Sequence, residues 1–269
     1  MYAAKAAGRN TWREHHVDLL PNSRKAQWLV WSERLNDAFE RNLFEVYVQG
    51  IFHAQTSAID HYEALVRLPD PAQPGNFYPV GELIMYAEDS GKIVALDRLM
   101  LTRSIDHLAR HPAHPPIAVN ISTRTLVDTS LTDFIEGCLS QAQVQPGRLH
   151  LELTETAALT NIEQAIQTVQ KVQRLGCKVG LDDFGSGFTS FTYLRDLKVD
   201  YIKMDGSFVR GLANDRECQI LLQAVVDIAH ASGRRVVAEW VEDESLLSLV
   251  RTYGVDLVQG YHFGQPRPL

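Results

Sequence analysis

Two adjacent carboxylates at the end of a short apolar run are the residues best suited to chemistry in this chain. The run Lys178–Phe184 (KVGLDDF) contains Asp182 and Asp183 and leads into the turn Gly185-Ser186-Gly187. Neighbouring side chains on a strand point to opposite faces, so both aspartates can face one site only if the strand ends there. Two carboxylates at a pocket rim repel each other, and a divalent metal ion would hold them together. An acidic turn that merely ends a strand is the alternative.

Polar side chains interrupt the other apolar runs in the same way. A single polar residue in a strand is usually a buried group that is hydrogen-bonded to the backbone. Because the cost of burying each group accumulates, a polar residue in every run favours convergence at one site instead. The residues in question are Gln49, Glu63, Asn120, Glu152, Lys203, Glu239 and Gln259, together with the two aspartates.

The residue types predict a magnesium or manganese site. Hard oxygen ligands of the kind that these ions prefer are offered by Glu63, Asn120, Glu152 and Asp182. With Asp183 and Glu239 added, there are more carboxylates than one ion needs. Two ions about 3.5–4 Å apart, bridged by an aspartate and a water, fit this number of ligands. Such a pair activates a water for in-line displacement at phosphorus. No histidine or cysteine is among these positions, so a zinc site is not predicted.

Two cationic residues accompany the carboxylates. Lys203 lies one run beyond the aspartates and could orient the attacking water or stabilise charge on the phosphoryl group; a structural salt bridge to the carboxylates, for example to Asp205, is the alternative. Arg67 follows Glu63 in the same run and could present its planar guanidinium to a phosphate oxygen. It could equally be a rim arginine paired with an acidic neighbour.

Eight apolar runs must position these residues. Amphipathic segments such as 161–175 and 218–232 lie between runs, and the repeated strand–helix units from Leu43 onward predict a closed (β/α)8 barrel. An open doubly wound sheet is the alternative, but its glycine-rich first turn is absent. The predicted strands are 44–52, 61–68, 117–122, 149–155, 178–184, 201–205, 235–241 and 257–263.

Composition excludes several classes of protein. The 269 residues are 45% hydrophobic and 22% charged with a net charge of −7, which is typical of a globular protein and argues against binding a nucleic acid polymer through a basic surface. Cys138, Cys177 and Cys218 follow no metal or disulfide spacing, and we expect buried thiols in a reducing compartment. No run has the length of a membrane span, and no signal peptide begins the chain. We expect a cytoplasmic location, although a longer parent protein could be membrane-attached.

The N-terminal segment is predicted to precede the barrel domain. Residues 1–7 favour a short helix, residues 11–22 a linker, and a helix capped by Asn22 or Ser23 is predicted to follow. Its two tryptophans could form a ligand platform or pack under the barrel or an adjoining domain. They belong to an apolar series at helical spacing, which consists of Trp28, Trp31, Leu35 and Phe39.

The triplet Glu63-Ala64-Leu65 is the signature of the EAL family of phosphodiesterases, which cleave the bacterial second messenger cyclic di-GMP. Other family motifs follow in the family's order and approximate spacing: VNIS at 119–122, ELTE at 152–155, DDFGSG at 182–187, KMD at 203–205, AEWVE at 238–242 and QGY at 259–261. From Leu43 to the C-terminus the chain therefore resembles a complete EAL domain. The opening YAAKAAGRN resembles the end of a GGDEF domain, which implies a domain division into 1–22 and 23–269, with GGDEF-like and sensor domains upstream.

The resemblance implies a TIM-like (β/α)8 barrel with one antiparallel strand near its start, and hydrolysis of cyclic di-GMP to linear pGpG with two Mg2+ or Mn2+ ions. The implied first-metal ligands are Glu63, Asn120, Glu152 and Asp182, and those of the second metal are Asp182, Asp183 and Glu239. Lys203 would contact the nucleophilic water, and Gln49, Gln259, Arg67 and Met85 would shape the substrate site. Glu155 would anchor the loop that begins at Phe184, Gly185, Ser186 and Gly187 and couples the site to a homodimer interface.

Several residues depart from the family pattern. Gly50 and Met85 stand where proline is usual, Leu68 replaces a tryptophan, and Trp240 replaces a small residue. None removes a metal ligand, so an active phosphodiesterase is favoured over a cyclic di-GMP receptor that signals without catalysis. A barrel enzyme that abstracts a proton beside a metal-bound carboxylate is a third possibility.

Overall fold

The computed structural model describes residues 24–185 and 191–269. The chain divides into two units, Met1–Asn42 and Leu43–Leu269. The described part of the first unit contains helix α1, Arg24–Glu40, which confirms the helix predicted there. The predicted helix at 1–7, the linker at 11–22 and the capping residues Asn22 and Ser23 lie outside the described residues.

The second unit is a closed barrel, as predicted. Its strands β2 to β8 pair in parallel in chain order, and β1 pairs antiparallel with both β8 and β2, which closes the sheet. A short strand β9 lies antiparallel to β1 and pairs with Tyr47 and Val48. The strands are β1 Glu45–His53, β2 Ile59–Arg67, β3 Ile117–Ile121, β4 Leu149–Thr154, β5 Lys178–Phe184, β6 Tyr201–Met204, β7 Arg235–Ala238, β8 Leu257–Val258 and β9 Arg267–Pro268.

Helices connect the parallel strands. The predicted helix at 161–175 is confirmed as Ile162–Leu175: Asn161 accepts a hydrogen bond from the Gln164 amide at its start, and Gly176 ends it with φ of 99°. The predicted helix at 218–232 runs from Arg216 to Ala231. The helices are α2 Val80–Asp89, α3 Ile93–Arg110, α4 Thr123–Leu126, α5 Leu131–Ala142, α6 Glu155–Thr160, α7 Ile162–Leu175, α8 Gly206–Gly211, α9 Arg216–Ala231 and α10 Glu244–Thr252.

The central strands are apolar on both faces because they lie between the barrel interior and the surrounding helices. Ile51, Tyr201, Val237 and Leu257 form a buried cluster of barrel residues. A β-carbon at Gly180 would lie 2.3 Å from the Tyr201 ring, so only glycine leaves room for this large side chain beside β5. The barrel interior is therefore a packed core, and chemistry is left to the strand ends.

Two predicted strands extend too far. β7 ends at Ala238 and β8 at Val258, whereas runs to residues 241 and 263 were predicted. Trp240 has φ of 56°, outside the extended region, so the backbone of β7 does not continue through it. A β-carbon at Gly260 would lie 2.1 Å from the Val241 backbone carbonyl oxygen, so the two chain segments cross closely just beyond their strands. Glu239 and Gln259 therefore stand immediately after their strands.

In the part of the chain that the structure describes, every helix is too short or too polar to cross a membrane. The three cysteines carry free thiols. Cys177 is buried as expected, but Cys138 and Cys218 are only half-buried, so the prediction of three buried thiols is wrong for these two.

Candidate active site

The carboxyl ends of the parallel strands bring the predicted polar residues together. Glu63 lies in β2, Asn120 in β3, Glu152 in β4 and Asp182 in β5. Asn120 pairs with Glu152, whereas Glu63 pairs with Ala118 and Asp182 with Thr154, which are displaced by two residues and therefore keep the side chains on one face. Gln49, on the antiparallel strand β1, lies directly opposite Glu63. Because all parallel strands end at the same rim, side chains far apart in sequence converge there.

Lys203 lies at the centre of this cluster. Its Nζ is 2.9 Å from Glu239 Oε1, 3.1 Å from Glu152 Oε2, 3.1 Å from Asp182 Oδ1 and 3.2 Å from Glu63 Oε2. The lysine is fully buried. Such a buried ammonium is tolerated only where opposite charges surround it.

Of the two predicted roles for Lys203, ion pairing with the carboxylate cluster is directly visible. Asp205, named as a possible partner, instead accepts hydrogen bonds from the backbone amide and the hydroxyl of Ser207 at the start of α8. A role of Lys203 in the reaction stays a prediction.

Two groups of carboxylates have ligand oxygens close enough to share a metal ion. Glu63, Glu152 and Asp182 form one, and Asp182, Asp183 and Glu239 form the other; within each group the oxygens lie within 4.8 Å of one another. Asp182 belongs to both groups, as a bridging ligand would. The acidic side chains thus offer the hard oxygens that Mg2+ and Mn2+ prefer.

A bulge in β5 lets Asp182 and Asp183 face the same site. Asp183 has φ of 55°, and the register with β6 shifts between Leu181 and Phe184. The strand then resumes, since Phe184 pairs with Met204. The prediction that the strand must end at the pair is therefore wrong: a left-handed residue inside the strand reverses the alternation of side chains locally.

Burial and mutual repulsion shift the acidity of the cluster. Burial, with the nearby charges of Glu63 and Asp182, raises the pKa of Glu152 to about 8, against the opposing effect of Lys203. Burial and the Asp182 charge raise the pKa of Asp183 to about 6. The pKa values of Asp182 and Glu239 are raised as well, first by burial and then by neighbouring carboxylates.

Glu63 is the exception. Burial would raise its pKa, but the Lys203 charge and hydrogen bonds from Gln259 and Asn120 outweigh burial and lower it. Gln259 Nε2 lies 2.7 Å from Glu63 Oε2, and Asn120 Nδ2 lies 2.8 Å from Glu63 Oε1. One ammonium therefore neutralises this cluster only in part, and divalent cations would compete with protons for the remaining carboxylates.

A second layer of polar side chains lies under the carboxylates and was not predicted from the sequence. The Tyr201 hydroxyl donates to Glu152 Oε1 at 2.8 Å, and His61 Nε2 lies 4.0 Å from the same oxygen. His150, in β4, is buried with its ring 4.8 Å from the His61 ring. Burial lowers the pKa values of both histidines, so both rings are neutral, and His61 Nε2 and the His150 ring nitrogens form no hydrogen bond with the described residues. His150 sits in an apolar run like the other site residues, a signal that could have identified it.

A pocket of about 330 Å³ opens beside the cluster. Gln49, Glu63, Arg67 and Gln259 line it, so the structure brings these predicted residues together. The Arg67 guanidinium donates to the Val66 carbonyl oxygen and lies 5.7 Å over the Tyr47 ring. Among the described residues it forms no ion pair with a carboxylate, which favours the prediction of an anion-binding arginine over that of a paired rim arginine.

Met85 stands apart from the other predicted substrate residues. It is on α2 with an exposed side chain. A second cavity, of about 280 Å³, is lined from this helix by Val80, Ile84 and Glu88 instead. Its assignment to the substrate site stays a prediction.

Glu155 accepts hydrogen bonds from residues before and after the segment 186–190. Its Oε2 accepts from the Gly185 amide at 2.9 Å and its Oε1 from the Tyr193 hydroxyl at 2.8 Å. Gly185 has φ of 97°, and a β-carbon there would lie 2.8 Å from the Phe208 ring. The remaining predicted loop residues, Ser186 and Gly187, lie outside the described part of the chain.

Two departures from the family pattern have packing explanations. A β-carbon at Gly50 would lie 2.6 Å from the Phe52 ring, so a larger residue there would displace this aromatic side chain. Leu68 is fully buried and belongs to the core.

The fold and the site define an α/β-barrel protein with an acidic cluster suited to divalent cations at the carboxyl ends of its strands. The chain belongs to the EAL domain family, a family of phosphodiesterases, whose model matches residues 32–266. This membership confirms the resemblance found in the motifs.

Similar proteins agree with this family. Cyclic di-GMP phosphodiesterase NbdA of Pseudomonas aeruginosa is 35% identical over 100% of this chain and 34% of its own length. Cyclic di-GMP phosphodiesterase PdeF of Escherichia coli is 30% identical over 88% of this chain and 32% of its own length. The chain thus spans about a third of the length of these curated relatives.

Solved structures share the fold. The PaMucR phosphodiesterase in complex with c-di-GMP superposes with a TM-score of 0.83 at 26% identity and covers 89% of this chain and 98% of that one. The Xanthomonas citri FimX EAL domain in complex with c-diGMP gives a TM-score of 0.82 at 27% identity, covering 91% and 96% of the two chains.

Proposed function

We propose that this chain hydrolyses cyclic di-GMP to linear pGpG with two divalent ions, Mg2+ or Mn2+. The observation that carries the proposal is the cluster itself: Lys203 and the carboxylates of two overlapping ligand groups meet at the strand ends beside a pocket. The names of NbdA, PdeF and PaMucR support cyclic di-GMP as the substrate.

The donor set fits the ions. Glu63, Glu152 and Asp182, with the amide oxygen of Asn120, would hold the first ion. Asp182, Asp183 and Glu239 would hold the second. When bound, such ions supply an activated water and neutralise charge on a phosphodiester. Burial and neighbouring carboxylates raise the pKa values of Glu152 and Asp183, so a bound cation would favour the ionised form of both side chains.

The protein's own residues position the reaction. Lys203 contacts carboxylates of both ligand groups, so its ammonium stands where it can orient a water and oppose negative charge on the phosphoryl oxygens. Gln259 holds Glu63 and also donates to Gln49 Oε1 at 3.3 Å, which keeps the pocket wall in place. Arg67 lines the same pocket and can bind a phosphate oxygen through its guanidinium fork.

The wider assignments complete the proposal. Residues 1–22 belong to the end of a GGDEF-like domain and a linker, residues 23–269 form the EAL domain, and further domains precede it in a cytoplasmic protein. The domain forms a homodimer, with the segment after Asp183 coupling the site to the interface. Glu155 supports that coupling, because one carboxylate fixes residues on both sides of the segment.

The test is incubation of the chain with cyclic di-GMP and Mg2+ or Mn2+, followed by chromatography for pGpG. Glu63→Gln should abolish product formation, because this near-isosteric change removes a ligand charge. Glu136→Ala, which alters an exposed glutamate on α5, is the matched control and should retain activity.

Other outcomes decide between the alternatives. Binding of cyclic di-GMP without pGpG in the presence of either ion would overturn the catalytic proposal in favour of a receptor. Absence of any cyclic di-GMP binding would favour the third possibility, a barrel enzyme that acts by proton abstraction.

A further inference from the structure

Trp240 combines an unfavourable backbone conformation with an exposed aromatic ring. Its φ of 56° lies in the left-handed region, where a bulky side chain is strained. Yet 48% of this residue remains exposed to solvent, so burial of the indole does not compensate fully for the strain. Packing of the indole alone therefore does not explain why a tryptophan occupies this position.

Helix α8 covers one side of the indole ring. A β-carbon at Gly206 would lie 2.3–2.6 Å from three atoms of the five-membered ring, so the glycine lets the helix backbone pack directly on the indole. The Arg210 guanidinium lies 4.0 Å from the ring centroid. Gly206 and Arg210 are four residues apart and share one face of α8, so both contacts to the ring come from this helix.

Trp240 also lines the pocket beside the carboxylate cluster. Glu239, the residue before it, contacts Lys203, and Arg67 and Tyr261 contribute to the same pocket. The ring thus packs against α8 at the edge of the site proposed to bind a phosphodiester. A planar π-surface in the same pocket as Arg67 is suited to a nucleobase, because every base has a face that stacks on an aromatic side chain.

We propose that the uncovered side of Trp240 stacks on a guanine base of the bound dinucleotide and makes this residue a determinant of substrate affinity. The inference rests on the proposed function and adds to it the residue that holds a base. Arg210 and Gly206 act as positioning residues, since they orient the ring and do not touch the substrate. A bulky side chain that only narrows the pocket is the competing explanation.

Substitution of Trp240 separates these explanations. Trp240→Gly should raise the KM for cyclic di-GMP about tenfold to a hundredfold and leave kcat within about threefold, because base stacking holds the substrate without taking part in bond breakage. Trp240→Phe should give an intermediate KM. If the protein binds without turnover, the same ratios are expected in the Kd from calorimetry with cyclic di-GMP.

Fluorescence supplies a readout that a structural role would not move. Cyclic di-GMP should quench the tryptophan emission of the unsubstituted chain, and Trp240→Phe should remove most of that quenching. Trp28→Phe, which alters an exposed tryptophan of α1, is the matched control and should retain both the quenching and the KM. Trp240→Gly should also keep or raise the melting temperature, because glycine relieves the left-handed strain.

The possible failures are distinguishable. If the unsubstituted chain neither binds nor hydrolyses cyclic di-GMP, the proposed function fails. If the unsubstituted chain binds or hydrolyses cyclic di-GMP, and the Trp240→Gly variant binds the dinucleotide as tightly as the unsubstituted chain or more tightly, stacking is refuted and the tryptophan merely narrows the pocket. Unchanged Mn2+ binding in Trp240→Gly would show that a change in KM does not arise from a damaged metal site.

Discussion

Replacing Lys203 by methionine would remove the ammonium that four carboxylates share while keeping the length of the side chain. Lys203 is buried, and its contacts with Glu63, Glu152, Asp182 and Glu239 all lie between 2.9 and 3.2 Å. The substitution therefore leaves buried carboxylates without their counter-ion, and they must bind protons or metal ions for the protein to remain folded.

The magnitude follows from the burial of these contacts. Removing one partner of a buried ion pair costs about 3–5 kcal/mol of stability. For a chain of this size each kcal/mol lowers the melting temperature by about 2–4 °C, so the metal-free Lys203→Met variant should melt roughly 6–20 °C below the unsubstituted chain. Saturating Mn2+ should restore most of this difference, because the ions supply the missing positive charge.

Activity should behave differently from stability. If Lys203 orients the attacking water, kcat of the Lys203→Met variant at saturating Mn2+ should stay about 10²–10³-fold below that of the unsubstituted chain, even though the fold is restored. The assay is a melting curve with and without Mn2+, paired with pGpG formation at saturating metal. Lys171→Met, which removes an exposed lysine of α7, is the matched control and should change neither quantity.

Two results would refute this reasoning. A metal-free Lys203→Met variant that melts within 2 °C of the unsubstituted chain, taken as the rough limit of one kcal/mol, would show that the four contacts do not stabilise the fold. Full kcat at saturating Mn2+ would show that Lys203 is only a structural counter-ion.

Three further predictions concern the same site. Glu152 and Asp183 have pKa values of about 8 and about 6, against ordinary values of 4.5 and 3.8, so they stabilise the metal-free fold at low pH and lose that contribution as pH rises to 8. The rise in melting temperature that Mg2+ induces should therefore be larger at pH 8 than at pH 5.5. Equal rises at the two pH values would refute this prediction. Glu155→Gln should lower stability by about 1–3 kcal/mol in denaturant titrations, because the charge that accepts two buried hydrogen bonds is lost, and an unchanged midpoint would contradict that role. Gly206→Ala should destabilise by about 1–3 kcal/mol through the clash with Trp240, and adding Trp240→Gly should remove that cost; an additive double mutant would refute the contact.

The predicted set of site residues came from a local pattern that long-range packing does not alter. A charged residue inside an apolar run, such as Glu63 or Glu152, is costly wherever the run lies, so its presence points to a shared site before any pairing is known. Eight such runs separated by helical segments also predict the barrel, because parallel strands need crossover helices. The barrel is confirmed, and the structure brings these charged side chains together, while their roles in a reaction stay predictions.

What the residues could not reveal depends on register and backbone angles. The antiparallel direction of β1 came from the family resemblance, since a strand's residue alternation is the same in either direction. The left-handed Asp183, which turns both aspartates to one site, depends on how β5 pairs with β6. Tyr201 became a site residue only when the fold placed its hydroxyl against Glu152 Oε1.

By itself, therefore, the sequence determined which carboxylates and which lysine this protein brings to its site, because the cost of burying a charged group belongs to the residue type. The tertiary structure alone decided which atoms meet. It surrounded the Lys203 ammonium with carboxylates from four different strands or strand ends, and it turned Trp240, a departure from the family pattern, into a ring held against α8 at the pocket edge. Such contacts join residues far apart in the chain, and only the register of the closed barrel sets their distances.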